Sequence, residues 1–165
     1  GEPVFLISDH FYAIKRNLKQ GFFFGLLDAL IIAVLCFDWF YFNSLAGYSL
    51  FYSAMYFFTL VMIIIYACMR FYIYPMMITF DLSIIKLLKN ALFFSILGIK
   101  RNIMALLAVV VIVAFWYVLR IVFFPLAVIL PFILMFSVSG LASTYAAYPK
   151  IKEIMIDPYY EENRE

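Results

Sequence analysis

Long apolar runs separated by short polar breaks dominate the chain. Four of them, 22–42, 50–69, 103–124 and 126–148, approach the roughly 20 residues a helix needs to cross the hydrocarbon of a bilayer. The first two are divided by Asn43-Ser44-Leu45-Ala46-Gly47 and the last two by Arg120 to Pro125, so each pair is predicted to form a tight helical hairpin. Two other segments alternate on a helical period. Ile7, Phe11, Ile14, Leu18 and Phe22 recur opposite Ser8, Tyr12, Lys15 and Lys19. Leu82, Ile85, Leu88 and Leu92 recur opposite Ser83, Lys86, Lys89 and Asn90. These predict amphipathic helices over about 7–20 and 82–94. Ser8 or Asp9 is placed to cap the first and Asp81 the second, and both helices are expected to lie in the membrane interface.

Composition sharpens this pattern. The 165 residues are 68% apolar and only 13% charged, with a mean hydropathy of +1.05. A soluble domain is about half apolar and about a quarter charged, so that class is excluded. The expected fold is an all-α polytopic transmembrane helical bundle, a single membrane domain over 1–165 with two cytoplasmic interfacial amphipathic helices.

The net charge of +2 says little, whereas its distribution says much. The tetrapeptide Ile-Lys-Arg-Asn occurs at 14–17 and again at 99–102, each time ahead of an apolar run. With four spans, Lys15, Arg16 and Lys19 fall on the same side as Arg70, Lys86, Lys89, Lys100 and Arg101, and as Lys150, Lys152 and Arg164; Arg120 alone falls on the other. The positive-inside rule makes the crowded side cytoplasmic, with both ends of the chain there. Trp39, Tyr41, Tyr48, Tyr52, Trp116 and Tyr117 gather at the expected outer edge, and Tyr72, Tyr74 and Tyr148 at the inner one. The stretches from Lys19 and from Lys89 resemble each other, as a repeated unit of basic helix plus hairpin would, although the second has Ser95 to Asn102 inserted before its span.

Candidate chemistry is sparse. Asp28 stands about two turns into the first span, where an unpaired carboxylate is costly. It reads either as an ion pair within the bundle, with Arg70 as the nearest candidate partner, or as a polar site for a proton, cation or solute. Asp38 and Arg120 read as residues at the outer boundary. The lone histidine, His10, reads as a surface residue, and Cys36 and Cys68 are predicted not to pair. No phosphate loop, H-E-x-x-H or nucleophile-base pair is present, so neither enzymatic activity nor a metal or other cofactor is expected. The Glu-Ala-Ala loop with which importer permeases dock their ATPase is missing too. Ser139, Gly140, Ser143 and Ala147 mark a face of the last span suited to close helix packing, within this chain or against a partner. The cations Lys15, Arg16, Lys19, Lys86, Lys89, Lys100 and Arg101 are candidates for contact with anionic lipid headgroups or a partner. The tail, ending in Asp157-Pro158 and further charged residues, reads as a solvated end.

In the lead-in Phe11 to Gly21 and the connector Tyr74 to Asn102, notably Pro75, Phe80-Asp81, Ser83 and Leu88-Lys89-Asn90-Ala91, the chain resembles the YesL family of bacterial integral membrane proteins. The resemblance implies two further spans ahead of Gly1 and a place in the bacterial cytoplasmic membrane. Because genes of that family commonly neighbour those of carbohydrate ABC importers, it also implies work beside sugar uptake, with importer permeases as partners. It supplies no functional residues. The function expected is that of a non-catalytic accessory or regulatory subunit of such an importer, with membrane lipids as further partners, self-association open and no nucleic acid. The alternative is an autonomous transporter or channel for a small solute, with Asp28 as its polar site.

Overall fold

The computed structural model describes residues 6–80, 82–131 and 136–158. Over these residues the chain is helical: α1 (Leu6–Leu45), α2 (Leu50–Thr79), α3 (Ile84–Leu97), α4 (Ile99–Val122), α5 (Phe124–Leu130) and α6 (Phe136–Ile151), followed by a π-helical turn at Lys152–Ile156. Three stretches, Lys15–Leu45, Leu50–Thr79 and Ile99–Val122, are long and apolar enough to cross a membrane, yet only 11%, 11% and 6% of their most apolar windows is buried. Water would penalise so much exposed Phe, Leu, Ile and Val, whereas lipid does not. The chain is therefore a helical membrane protein.

Several boundaries differ from those the sequence predicts. The expected interfacial helix over 7–20 and the first span form one unbroken helix, α1. Gly21 carries a turn only if a cap or proline accompanies it, and none does. Of the Asn43 to Gly47 break, residues 43–45 still belong to α1 and the turn spans 46–48, with the Tyr48 N–H donating to Leu45 O at 3.0 Å and the Ser53 hydroxyl donating to Ala46 O. The Arg70 to Thr79 part of the expected connector continues α2 through Pro75. The second amphipathic helix begins at Ile84 and ends at Leu97; the proposed cap Asp81 lies outside the described residues. The expected fourth span, 126–148, comprises most of α5, the undescribed 132–135 and much of α6.

Prolines inside helices leave carbonyls without their usual donors, and the fold supplies others. Pro75 has no N–H for Phe71 O, four residues back, and the Ser143 hydroxyl donates to that oxygen at 2.7 Å. Pro131 likewise frees Ala127 O, which accepts from the Trp116 indole N–H at 2.8 Å and so fastens α5 to α4. In an apolar medium an unsatisfied carbonyl costs several kcal/mol, so these bonds are what lets the helices tolerate proline.

The chain divides into two compact units. One comprises Gly1–Ala67 and Met77–Leu87, the other Cys68–Met76 and Leu88–Glu165. In the first, α1 turns inward a stripe that includes Phe24, Asp28, Leu35, Trp39 and Phe42, while Tyr56, Thr59, Ile63 and Tyr66 of α2 are likewise buried or half-buried. Both stripes repeat at spacings of three and four, the period of a helical seam. Trp39 and Tyr56 close its far end with ring centroids 4.8 Å apart. In the second unit α4 packs against α5 and α6, and Tyr72, Ile73, Met76, Ala91, Ala105, Ala146 and Ala147 form the core.

Candidate functional site

Each unit holds a buried polar centre built on a tyrosine. In the first, Asp28 is 5% exposed, and the Tyr66 hydroxyl donates to its Oδ1 at 2.6 Å. Asp28 follows Phe24 by four residues on the inward stripe of α1, so helical periodicity alone aims its carboxylate at the seam. A phenol in apolar surroundings needs an acceptor, and a carboxylate inside a span needs a donor. The pair satisfies both. Arg70, the partner suggested by the sequence, is exposed, with its guanidinium carbon 5.9 Å from the centroid of the Tyr74 ring.

The second centre is larger. Tyr72 and Asn102 are both fully buried. The Tyr72 hydroxyl donates to Asn102 Oδ1 at 3.0 Å and lies 3.3 Å from Ala146 O, while Asn102 Nδ2 donates to Ser95 O at 2.8 Å. One phenol and one amide thus join α2, α3, α4 and α6. The Phe94 ring stacks on Tyr72 with centroids 5.9 Å apart. Gly98, between α3 and α4, makes room for the phenol, since a Cβ there would collide with the Tyr72 hydroxyl. The sequence reading misses Tyr66, Tyr72 and Asn102. Asn102 ends the second Ile-Lys-Arg-Asn, where it reads as one more hydrated interfacial residue.

The other predicted residues distribute as follows. Lys15, Arg16, Lys19, Lys86, Lys89, Lys100 and Arg101 are all exposed. Arg16 donates to Ile78 O at 2.9 Å, and Gln20 donates to Leu82 O at 2.6 Å. Ile78 O belongs to the last turn of α2, where carbonyls lack helical partners, so Arg16 acts as a cap borrowed from another helix. The Arg101 guanidinium carbon lies 6.0 Å from the centroid of the Tyr145 ring, a cation-π arrangement at the start of α4. Of the small-residue face, Ser143 and Ala147 pack inside the second unit, whereas Ser139 and Gly140 are exposed. Asp38 is half-buried and Arg120 exposed; the His10 side chain lies outside the described residues. In the tail Lys150 pairs with Glu153 at 2.7 Å.

Among the described residues, every fully buried side-chain nitrogen or oxygen has a hydrogen-bond partner. No three His, Cys, Asp or Glu side chains among them come together as a metal site would need. Compared with known proteins, the chain matches no family model, no curated relative and no solved structure.

Proposed function

We propose that this protein is a non-catalytic accessory or regulatory subunit of a bacterial carbohydrate ABC importer. It would sit in the cytoplasmic membrane with both ends of the chain on the cytoplasmic side. The supporting observation is the inside-out economy of the molecule. Its buried polar groups are engaged with one another, as in Asp28 with Tyr66 and Tyr72 with Asn102, while long apolar helix faces are left outward. Such a molecule works through its surfaces. Importer permeases as the partner, and sugar uptake as the setting, come from the resemblance to the YesL family in the 11–21 and 74–102 stretches.

The test is recovery of the tagged full-length protein from native membranes in a mild detergent, with mass spectrometry of what accompanies it. Sugar-importer permeases in fixed proportion are the expected result. Recovery of the protein alone across several detergents would defeat this reading and favour an autonomous carrier, for which Asp28, buried within a span, is the polar site. That rival predicts solute flux in liposomes holding this protein only, abolished by Asp28→Asn.

A further inference from the structure

We propose that the outer face of α1 holds one anionic phospholipid, with its acyl chains in an apolar groove and its phosphate on Lys15 and Lys19. The groove has a volume of about 670 Å³ and is walled by Leu18, Gly21, Phe22 and Phe23 of α1 and Met77 of α2, with Lys19 at its rim. All of these residues lie in the first unit. Gly21 makes the trough, because a residue with no side chain leaves the floor open between Phe22 and Met77. A Cβ there would come no nearer than 3.8 Å to the Met77 methyl. Leu18 and Phe22 are each 64% exposed, a poor arrangement in water and a good one against lipid chains.

The charges match this occupant: Lys15 and Lys19 stand three residues before Leu18 and Phe22, so the basic stripe borders this apolar wall rather than opposing it as the sequence pattern suggests. Lys15 and Lys19 are exposed and four residues apart, so their ammonium groups rise from neighbouring points of one helix face, close enough to share a phosphate. Lys19 precedes Phe23 by one helical turn, about 6 Å along the axis, the offset between a headgroup and the start of its acyl chains. A zwitterionic lipid would bring its own cation against these lysines, so an anionic headgroup is favoured. The second Ile-Lys-Arg-Asn offers no equivalent: its Asn102 is buried in the tyrosine centre, and its Arg101 faces the Tyr145 ring.

Native mass spectrometry of the full chain, released from micelles containing equal phosphatidylglycerol and phosphatidylcholine, tests this inference. One phosphatidylglycerol should be retained with at least about ten-fold preference, since each lysine near the surface contributes about five-fold. Lys15→Gln and Lys19→Gln should each lower that preference about five-fold, while Lys100→Gln should leave it unchanged. Gly21→Leu, filling the trough, should displace the lipid. Should that variant fail to fold, as judged by its helical circular dichroism, the lysine changes still decide. Excess inorganic phosphate should not compete, because it lacks chains for the groove. Equal retention of both lipids, an equal loss from Lys100→Gln, or displacement by phosphate would each overturn the proposal.

Discussion

The two tyrosine centres solve the same problem with different chemistry. In the first unit the Tyr66 hydroxyl meets a carboxylate between two helices; in the second the Tyr72 hydroxyl meets an amide where four helices converge. In the acidic centre Asp28 Oδ1 accepts the Tyr66 bond. A carboxamide accepts on one atom and donates from the other, so Asn102 passes the connection on to Ser95 O. The amide centre is therefore an organiser of helices, and the acidic one ties α1 to α2. The same contrast separates the two Ile-Lys-Arg-Asn copies. Arg16 of the first reaches outward to cap another helix, and Asn102 of the second turns inward to become core.

The largest loss is expected from Asn102→Leu. It strands Ser95 O and leaves the Tyr72 hydroxyl only the longer bond to Ala146 O, and should cost about 2–4 kcal/mol in thermal unfolding of the detergent-solubilised protein. Tyr72→Phe, which keeps the ring stacked on Phe94, should cost about 1 kcal/mol. If the two variants melt alike, the amide is no hub.

Asp28 should respond more mildly. Asp28→Asn retains an acceptor for the Tyr66 hydroxyl and should lower stability by less than about 1 kcal/mol, whereas Asp28→Leu removes that acceptor and should cost about 1–3 kcal/mol. Adding Tyr66→Phe to Asp28→Leu should cost less than the sum of the two single changes, because the hydrogen bond they share is lost only once. A loss from Asp28→Asn as large as that from Asn102→Leu would make the charge itself structural and erase the distinction between the centres.

The smallest effect is expected at Ser143. Interhelical hydrogen bonds of this kind in membranes are worth about 0.6 kcal/mol on average, and Ser143→Ala should destabilise by about that much. Combined with Pro75→Ala, which returns an N–H to Phe71 O, the change should become neutral; the two unfolding curves compared directly would sharpen the case that Ser143 compensates for the proline.

How far the sequence carried can be judged from particular elements. The apolar runs at 22–42 and 50–69 lie within α1 and α2, because hydropathy is a sum over neighbouring residues and needs no knowledge of the rest of the chain. The start of α4 at Ile99 and the joining of the 7–20 segment to the span after it were less legible. Both depend on whether a glycine ends a helix, and helical backbone continues through glycine unless something else stops it. Pro75 was a harder case, since its tolerance in α2 rests on Ser143, 68 residues later.

Composition and periodicity by themselves determined that the chain is helical, that it belongs in lipid, and that its cations crowd the approaches to its spans. Which polar residues meet depends on how the helices pack. Asn17 and Asn102 end identical tetrapeptides, yet one is half-exposed and the other fully buried. Nothing local distinguishes them. Asn102 is core because another helix brings Tyr72 to its face, and in an apolar bundle the need to satisfy that hydroxyl fixes the result.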